Sequence, residues 1–197
     1  MTGGRRFSQA IAEGDGISIA VEVADLDSAR AAEEQGAEAL VLRIPVEGLR
    51  DATSLPLLWR PGGSPEEAKQ AGADACVLAP SNGDEDGVEL ERLYRHALDL
   101  GLDCVVEVRD EEELELALER VDPEIFLLSS TGADDGDGSL DRALELLPDV
   151  PAGKLAIAEL DVVGRDEVTE LERAGIDAVI VRAGNVAELA GGVAPEV

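Results

Sequence analysis

The chain has 197 residues, enough for one domain with a sizeable core, and we expect residues 1–197 to form a single domain. Its 44 acidic residues outnumber the 16 basic ones and give a formal charge of −28, which argues strongly against nucleic acid or a membrane as partner. No apolar run approaches the length of about 20 residues that a membrane span needs. The first residues also lack the apolar centre of a signal peptide, so we expect a cytoplasmic protein.

The apolar runs predict eight strands. In chain order they are SIAVEV (18–23), EALVLR (38–43), LPLLWR (55–60), ACVLAP (75–80), CVVEVR (104–109), EIFLLS (124–129), LAIAEL (155–160) and AVIVRA (178–183). Between them lie helical runs: LDSARAAEEQG, a short VEGLRDA, SPEEAKQAG, VELERLYRHALDLG, DEEELELALER, SLDRALELLPD and GRDEVTELERAG. FSQAIAEGDG, ahead of the first strand, predicts a short additional helix, and GNVAELAGGVAPEV leaves a weak last helix.

One phrase recurs where these helices meet the strands. It is found as EEQGAEALVLR, QAGADACVLAP, LDLGLDCVVEV and ERAGIDAVIVR. In each copy a glycine follows an amphipathic run, as is usual where a left-handed residue ends a helix. A small or acidic residue follows, and then apolar residues with little alternation, which are typical of a parallel strand buried on both faces. The repetition indicates one α/β unit used many times.

Eight such units with short connections predict a closed (βα)₈ TIM barrel. The barrel is compact, because a typical one has about 250 residues, and its loops must be shortened. A doubly wound open sheet is disfavoured because neither the GxGxxG pattern nor a P-loop pattern is present.

Few residues suggest a metal or a cofactor, and we expect neither. Cys76 and Cys104 both fall in predicted strands, far apart in sequence and without a nearby histidine. The single histidine, His96, lies in the middle of a helix, where a surface or packing role is expected. The acidic runs 81–87 and 130–139 resemble cation-binding loops, but neither fits the full calcium-loop pattern, and solvated turns are expected.

Four long phrases, in order along nearly the whole chain, resemble the indole-3-glycerol phosphate synthase family. FSQAIAEGDGISIAVEV resembles the opening of that family, and SLPLLWRPGGSPEEAKQAGADACVL resembles its LPVLRKDF strand with the next helix and strand. LYRHALDLGLDCVVEVRDEEELELALE resembles its fifth unit, and LAIAELDVVGRDEVTELERAGIDAVIV resembles its AESGI strand and final strand. The resemblance implies a lyase of tryptophan biosynthesis. Its reaction closes the ring of a carboxyphenylamino-deoxyribulose phosphate, with loss of carbon dioxide and water.

The resemblance also implies catalytic residues, and this sequence keeps only some of them. The family uses a Glu-x-Lys pair on its first strand, a lysine acid on the third, and glutamates on the fifth and seventh. Glu22, Glu107 and Glu159 stand at the three glutamate positions. Ala24 replaces the first-strand lysine and Arg60 the third-strand lysine. Arginine binds anions but stays protonated, so it is a poor proton donor.

Other positions of the family pattern differ as well. Ser129 and the two residues after it replace the asparagine segment of the sixth strand. Leu160 and Asp161 replace a Ser-Gly pair, and Arg182 takes the place of a glycine that contacts phosphate in the family. We therefore expect the family's reaction to be lost, because an arginine cannot be tuned to donate a proton and Asp161 would repel a phosphate.

Alternate residues of a strand face the barrel interior, and the family pattern indicates which ones. This alternation predicts that a set of charged side chains points into the top of the barrel. They are Glu22, Arg43, Arg60, Glu107, Arg109, Glu159 and Arg182. As catalytic candidates we take Glu22, Arg60, Glu107 and Glu159, and as substrate-binding candidates Arg43, Arg109, Ser129 and Arg182. Catalytic residues of such barrels lie at this face.

Two interpretations of this charged set stay open. In the first, the arginines clamp a carboxylate or phosphate while Glu107 or Glu159 acts as a general base. In the second, each glutamate pairs with an arginine and a salt-bridged plug fills the former pocket. Three functions remain: a non-catalytic or small-anion-binding relative, an active lyase rebuilt around Arg60, Glu107 and Glu159, and a scaffold or interaction protein. A homo-oligomer is compatible with each.

Overall fold

Eight parallel strands close into a barrel in chain order, with β8 paired to β1. The computed structural model describes residues 7–12, 16–81, 86–129, 139–160, 164–182 and 186–189. The strands are β1 Ser18–Val23, β2 Ala39–Leu42, β3 Leu57–Trp59, β4 Ala75–Leu78, β5 Asp103–Val108, β6 Ile125–Leu128, β7 Leu155–Glu159 and β8 Ala178–Arg182. The predicted TIM barrel is confirmed.

Helices separate the strands, as expected for repeated βα units. They are α1 Phe7–Ala12, α2 Leu26–Glu34, α3 Leu49–Ala52, α4 Pro65–Gln70, α5 Val88–Asp99, α6 Glu111–Arg120, α7 Ser139–Leu146, α8 Arg165–Ala174 and α9 Val186–Leu189. The extra first helix and the short connections are confirmed, since only Ala24 and Asp25 separate β1 from α2. None of the helices in these ranges is long and apolar enough to cross a membrane.

Strand side chains alternate between two apolar layers, as a parallel strand buried on both faces requires. One layer fills the inside of the barrel and includes Ala20, Val41, Leu58, Val77, Val105, Leu127, Ile157 and Ile180. Phe7 and Ile11 of α1 belong to this same layer, so α1 covers one end of the barrel. The other layer lies between the strands and the surrounding helices and contains the intervening strand residues together with helix residues such as Ala29 and Leu90.

The recurring phrase has a structural explanation for both its glycine and its acid. The glycines adopt positive φ angles of 94, 77, 73 and 101° at Gly36, Gly72, Gly101 and Gly175. In two of the copies, the acid before a strand accepts a hydrogen bond from the backbone of the preceding strand. Asp74 Oδ2 accepts from Leu57 N at 2.9 Å, and Asp177 Oδ2 accepts from Ala156 N at 2.7 Å. These carboxylates tie neighbouring strands together at their amino ends.

Candidate functional site at the carboxyl end of the barrel

Three glutamates lie at or near the carboxyl ends of their strands, in the register of the barrel interior. Glu22, Glu107 and Glu159 follow by two residues the interior residues Ala20, Val105 and Ile157. Because successive side chains of a strand point to opposite faces, all three side chains point into the barrel. The strands β1, β5 and β7 therefore aim three carboxylates at one small space.

Arg60 is the centre of the site. It follows β3, where its backbone N donates to Leu42 O at 2.9 Å and so continues the β2–β3 ladder by one residue. Its side chain crosses the barrel: Nη1 and Nη2 donate to Glu107 Oε2 and Oε1 at 3.1 and 2.7 Å. Nε and Nη2 also donate to Glu159 Oε2, at 3.1 and 2.7 Å. Arg60 is only 8% exposed, so one buried guanidinium joins β3 to β5 and β7.

Arg43 extends these contacts to the first strand. Arg43 follows β2, and its Nε donates to Glu22 Oε2 at 2.7 Å. Its Nη2 donates to Glu159 Oε1. Glu159 therefore accepts a hydrogen bond from Arg43 on one carboxylate oxygen and hydrogen bonds from Arg60 on the other. The result is a continuous ionic chain, which runs in the order Glu22, Arg43, Glu159, Arg60 and Glu107.

The ionic chain keeps both arginines charged. Burial disfavours the charge of Arg60, but the nearby carboxylates of Glu159 and Glu107 outweigh burial and raise its pKa. Burial likewise opposes the charge of Arg43, and the contacts with Glu22 and Glu159 raise its pKa. When all five groups are ionised, three carboxylates face two guanidiniums, so the chain carries one negative charge in excess. Neither guanidinium can release a proton near neutral pH.

Arg109 makes its side-chain hydrogen bonds to Glu113 rather than to a member of the ionic chain, and its role in substrate binding stays a prediction. Its Nε donates to Glu113 Oε2 at 3.1 Å, and its Nη2 donates to Glu113 Oε1. Its backbone N also donates to Glu113 Oε2, at 2.9 Å. The reason is local: α6 begins directly after β5, capped by Asp110, and places Glu113 in its first turn, four residues from Arg109. The spacing of four residues is the sequence signal for this pair.

Ser129 and Arg182 occupy the same end of the barrel. Ser129 is buried directly after β6, and its backbone N donates to Val108 O at 3.1 Å. Arg182 is the last residue of β8, is exposed, and lies opposite Glu22 in the β1–β8 register. Their roles in binding stay predictions. Residues 130–131 and Asp161, which also differ from the family pattern, lie outside the described residues.

A metal centre finds no support in the parts of the chain that the structure describes. Within these ranges no group of three or more His, Cys, Asp or Glu side chains is arranged to hold a metal ion. The acidic runs 81–87 and 130–139 fall mainly on residues 82–85 and 130–138, which lie outside the description.

Comparisons with known proteins agree with this architecture. Thiamine phosphate pyrophosphorylase from Pyrococcus furiosus is 18% identical, with a TM-score of 0.65 over 89% of this chain and 91% of that one. A mutant tryptophan synthase alpha-subunit from the same hyperthermophile is 16% identical, with a TM-score of 0.66 over 88% of this chain and 98% of that one. At these identities the two structures show the fold alone. The family model for indole-3-glycerol phosphate synthase, however, matches residues 65–185, which is more than half of the sequence. The chain therefore belongs to the indole-3-glycerol phosphate synthase family.

Proposed function

We propose that this chain is a non-catalytic member of its family, in which the ionic chain takes the place of the ring-closing site. The observation that carries the proposal is the environment of Arg60. This residue stands where the family pattern has its lysine acid, is buried, and makes four hydrogen bonds to Glu107 and Glu159.

The chemistry of ring closure supports this proposal. Loss of water during ring closure needs a group that donates a proton near neutral pH. A buried lysine can be tuned for that task, whereas an arginine stays protonated. Ala24 stands at the other lysine position of the family pattern and has no polar side chain. The two positions that carry ammonium groups in the family thus hold an arginine and an alanine.

The electrostatics of the ionic chain also oppose the family's substrate, which carries a carboxylate and a phosphate. Four of the five N–H groups of Arg60 are occupied by glutamates. To bind Arg60, an anion would have to displace Glu107 or Glu159 and leave a buried carboxylate without its cation. Breaking a buried pair in this way costs about 3–5 kcal/mol.

A second candidate function, the binding of a small anion, is supported by Arg43. Among the described residues, Arg43 donates one hydrogen bond to Glu22 and one to Glu159, so donors remain on its guanidinium. Its side chain is 43% exposed, in contrast to that of Arg60. A carboxylate or a phosphate is the class of ligand that a guanidinium with spare N–H groups accepts.

Complementation of a tryptophan auxotroph that lacks the enzyme tests the main proposal. We expect no rescue when the protein accumulates in folded form, and the same result for Glu107→Gln. Rescue by the unmodified chain would contradict the proposal. Loss of that rescue in a folded Glu107→Gln variant would mean that Glu107 takes part in the reaction.

Titration with benzoate and with inorganic phosphate, followed by NMR, tests the second candidate. We expect shifts of residues around Arg43 that disappear in Arg43→Gln and persist in Arg142→Gln. Arg142 is the matched control because it is a surface arginine paired with Glu145. Identical titrations in the two variants would contradict anion binding at Arg43.

A further inference from the structure

The two cysteines, distant in sequence, face each other across neighbouring strands. Cys76 of β4 and Cys104 of β5 are direct register partners. Both belong to the layer between strands and helices, and they are 2% and 5% exposed. Adjacent strands lie about 4.8 Å apart. This spacing falls within the range of about 4.4–6.8 Å that Cα atoms have in disulfides.

The two thiols also interact with each other, and they do so unequally. A hydrogen bond from the Cys104 thiol lowers the pKa of Cys76. The same contact, together with burial, raises the pKa of Cys104. Cys104 Sγ lies 3.7 Å from the backbone oxygen of Tyr94, so helix α5 covers the pair. The register places each thiol beside the other, and the directions of the two pKa shifts favour Cys76 as the attacking thiolate and Cys104 as the resolving thiol.

We propose that Cys76 and Cys104 form a redox site, at which a small hydroperoxide converts the two thiols into a disulfide that joins β4 to β5. A small oxidant is required because both sulfur atoms lie beneath a helix. The site is separate from the ionic chain, since the cysteines face the helices and the ionic chain faces the barrel interior.

The reaction balances with one hydroperoxide for each disulfide. The Cys76 thiolate attacks one peroxide oxygen, the O–O bond breaks, and the leaving oxygen takes a proton and departs as water or an alcohol. This step leaves a sulfenic acid on Cys76. The Cys104 thiol then gives up its proton and attacks the Cys76 sulfur, and the sulfenic hydroxyl leaves as water. Two thiols are oxidised by two electrons, and the peroxide is reduced by two.

The only tryptophan of the chain provides a reporter for this site. Trp59 of β3 is the register partner of Cys76, in the same outer layer. A disulfide one strand away quenches indole emission, so oxidation should reduce the fluorescence of the folded protein. Reduction by dithiothreitol should restore it.

The test treats the full chain with hydrogen peroxide under native conditions and follows its intact mass and Trp59 emission. We expect the loss of two hydrogen atoms, reversed by dithiothreitol. We also expect a cross-link between the tryptic peptides 70–92 and 96–109, which carry one cysteine each. Cys104→Ala should instead stop at a sulfenic acid on Cys76, seen as the gain of one oxygen atom and labelled by dimedone once urea has unfolded the oxidised protein. Cys76→Ala should give far less of this adduct.

Several outcomes would overturn the proposal. One is a folded protein whose thiols stay unmodified under conditions that oxidise the urea-unfolded chain. Another is independent addition of oxygen to each cysteine, and a third is cross-linking between two chains. If the alanine variants do not fold, the mass and the cross-linked peptides of the unmodified chain decide the question alone.

Discussion

Arg60 holds Glu107 through two parallel hydrogen bonds across the barrel, Nη1 to Oε2 at 3.1 Å and Nη2 to Oε1 at 2.7 Å. Both side chains are about one-tenth exposed. Such a pair depends on both partners, because removing one leaves the other charged in a poorly solvated space. The fork geometry of arginine and carboxylate also fixes the positions of both strand ends.

Removal of the charge at Glu107 should therefore destabilise the fold. We expect Glu107→Gln to lower the free energy of unfolding by about 3 kcal/mol, near the lower end for a broken buried pair. Glu145→Gln is the matched control, since Glu145 pairs with Arg142 at the surface and is 68% exposed. The control should change stability by less than about 1 kcal/mol. Equal effects of both variants in urea unfolding would contradict a buried, structural ionic chain.

Restoration of the family's lysine at position 60 should not restore the family's reaction. In Arg60→Lys one ammonium group must serve both Glu107 and Glu159, and it cannot form the bidentate pair. We expect a loss of about 2 kcal/mol in the free energy of unfolding. Ring closure should stay absent, because Ala24 still lacks the first-strand ammonium. A product peak from Arg60→Lys by chromatography would show that position 60 alone decides activity, contrary to this expectation.

Asp177 should contribute to the free energy of unfolding in a way that decreases as the pH rises. Burial raises its pKa above the ordinary value of 3.8, although the hydrogen bond from Ala156 N acts in the other direction. The folded state thus holds the proton more tightly than the unfolded state. The contribution of this group to stability is complete below pH 3.8 and is lost as the pH rises through the raised pKa.

Asp177→Asn keeps an oxygen that can accept the hydrogen bond from Ala156 N but removes the titration. We expect its urea midpoint, relative to that of the unmodified chain, to increase as the pH rises from about 3 to 7. The comparison cancels the titration of the other carboxylates, which both proteins share. A difference that is constant with pH, or that falls as the pH rises, would contradict the raised pKa of Asp177.

The start of α6 is held by the side chain of Asp110, which accepts a hydrogen bond from Glu113 N at 2.9 Å. Loss of this cap in Asp110→Ala should cost about 1 kcal/mol. Asp110→Asn keeps a side-chain oxygen and should cost at most about half as much. Because Glu113 also binds Arg109, only the alanine variant should raise amide exchange at both Glu113 and Arg109. Equal exchange in the two variants would exclude the cap as the cause.

Most of the fold could be predicted from the sequence because its signals are local. The glycine that ends a helix and the apolar run that follows it are both short-range patterns, and the barrel follows from counting them. The ends of the strands differ from the prediction: the sequence places Arg43, Arg60 and Ser129 within strands, whereas in the structure they follow them. The β-ladder hydrogen bonds of Arg60 N and Ser129 N explain why these ends are hard to define from sequence.

The arrangement of the site depends on long-range contacts, so less of it could be predicted. The alternation of side chains along each strand predicts that glutamates and arginines share the carboxyl end of the barrel. It does not predict that Glu159 accepts hydrogen bonds from both Arg43 and Arg60. The same alternation includes Arg109 in this set, and it does not indicate that the guanidinium of Arg109 binds Glu113, four residues away. The pairing of Cys76 with Cys104 depends on the register of β4 and β5, which no short sequence pattern fixes.

Turnover of the carboxyphenylamino-deoxyribulose phosphate by the purified chain tests the central claim most directly. If the ionic chain has replaced the catalytic site, product should form no faster than in buffer, and Glu107→Gln should behave in the same way. Turnover at an ordinary enzymatic rate of about 1 s⁻¹ or more, abolished by Glu107→Gln in a folded variant, would contradict the account.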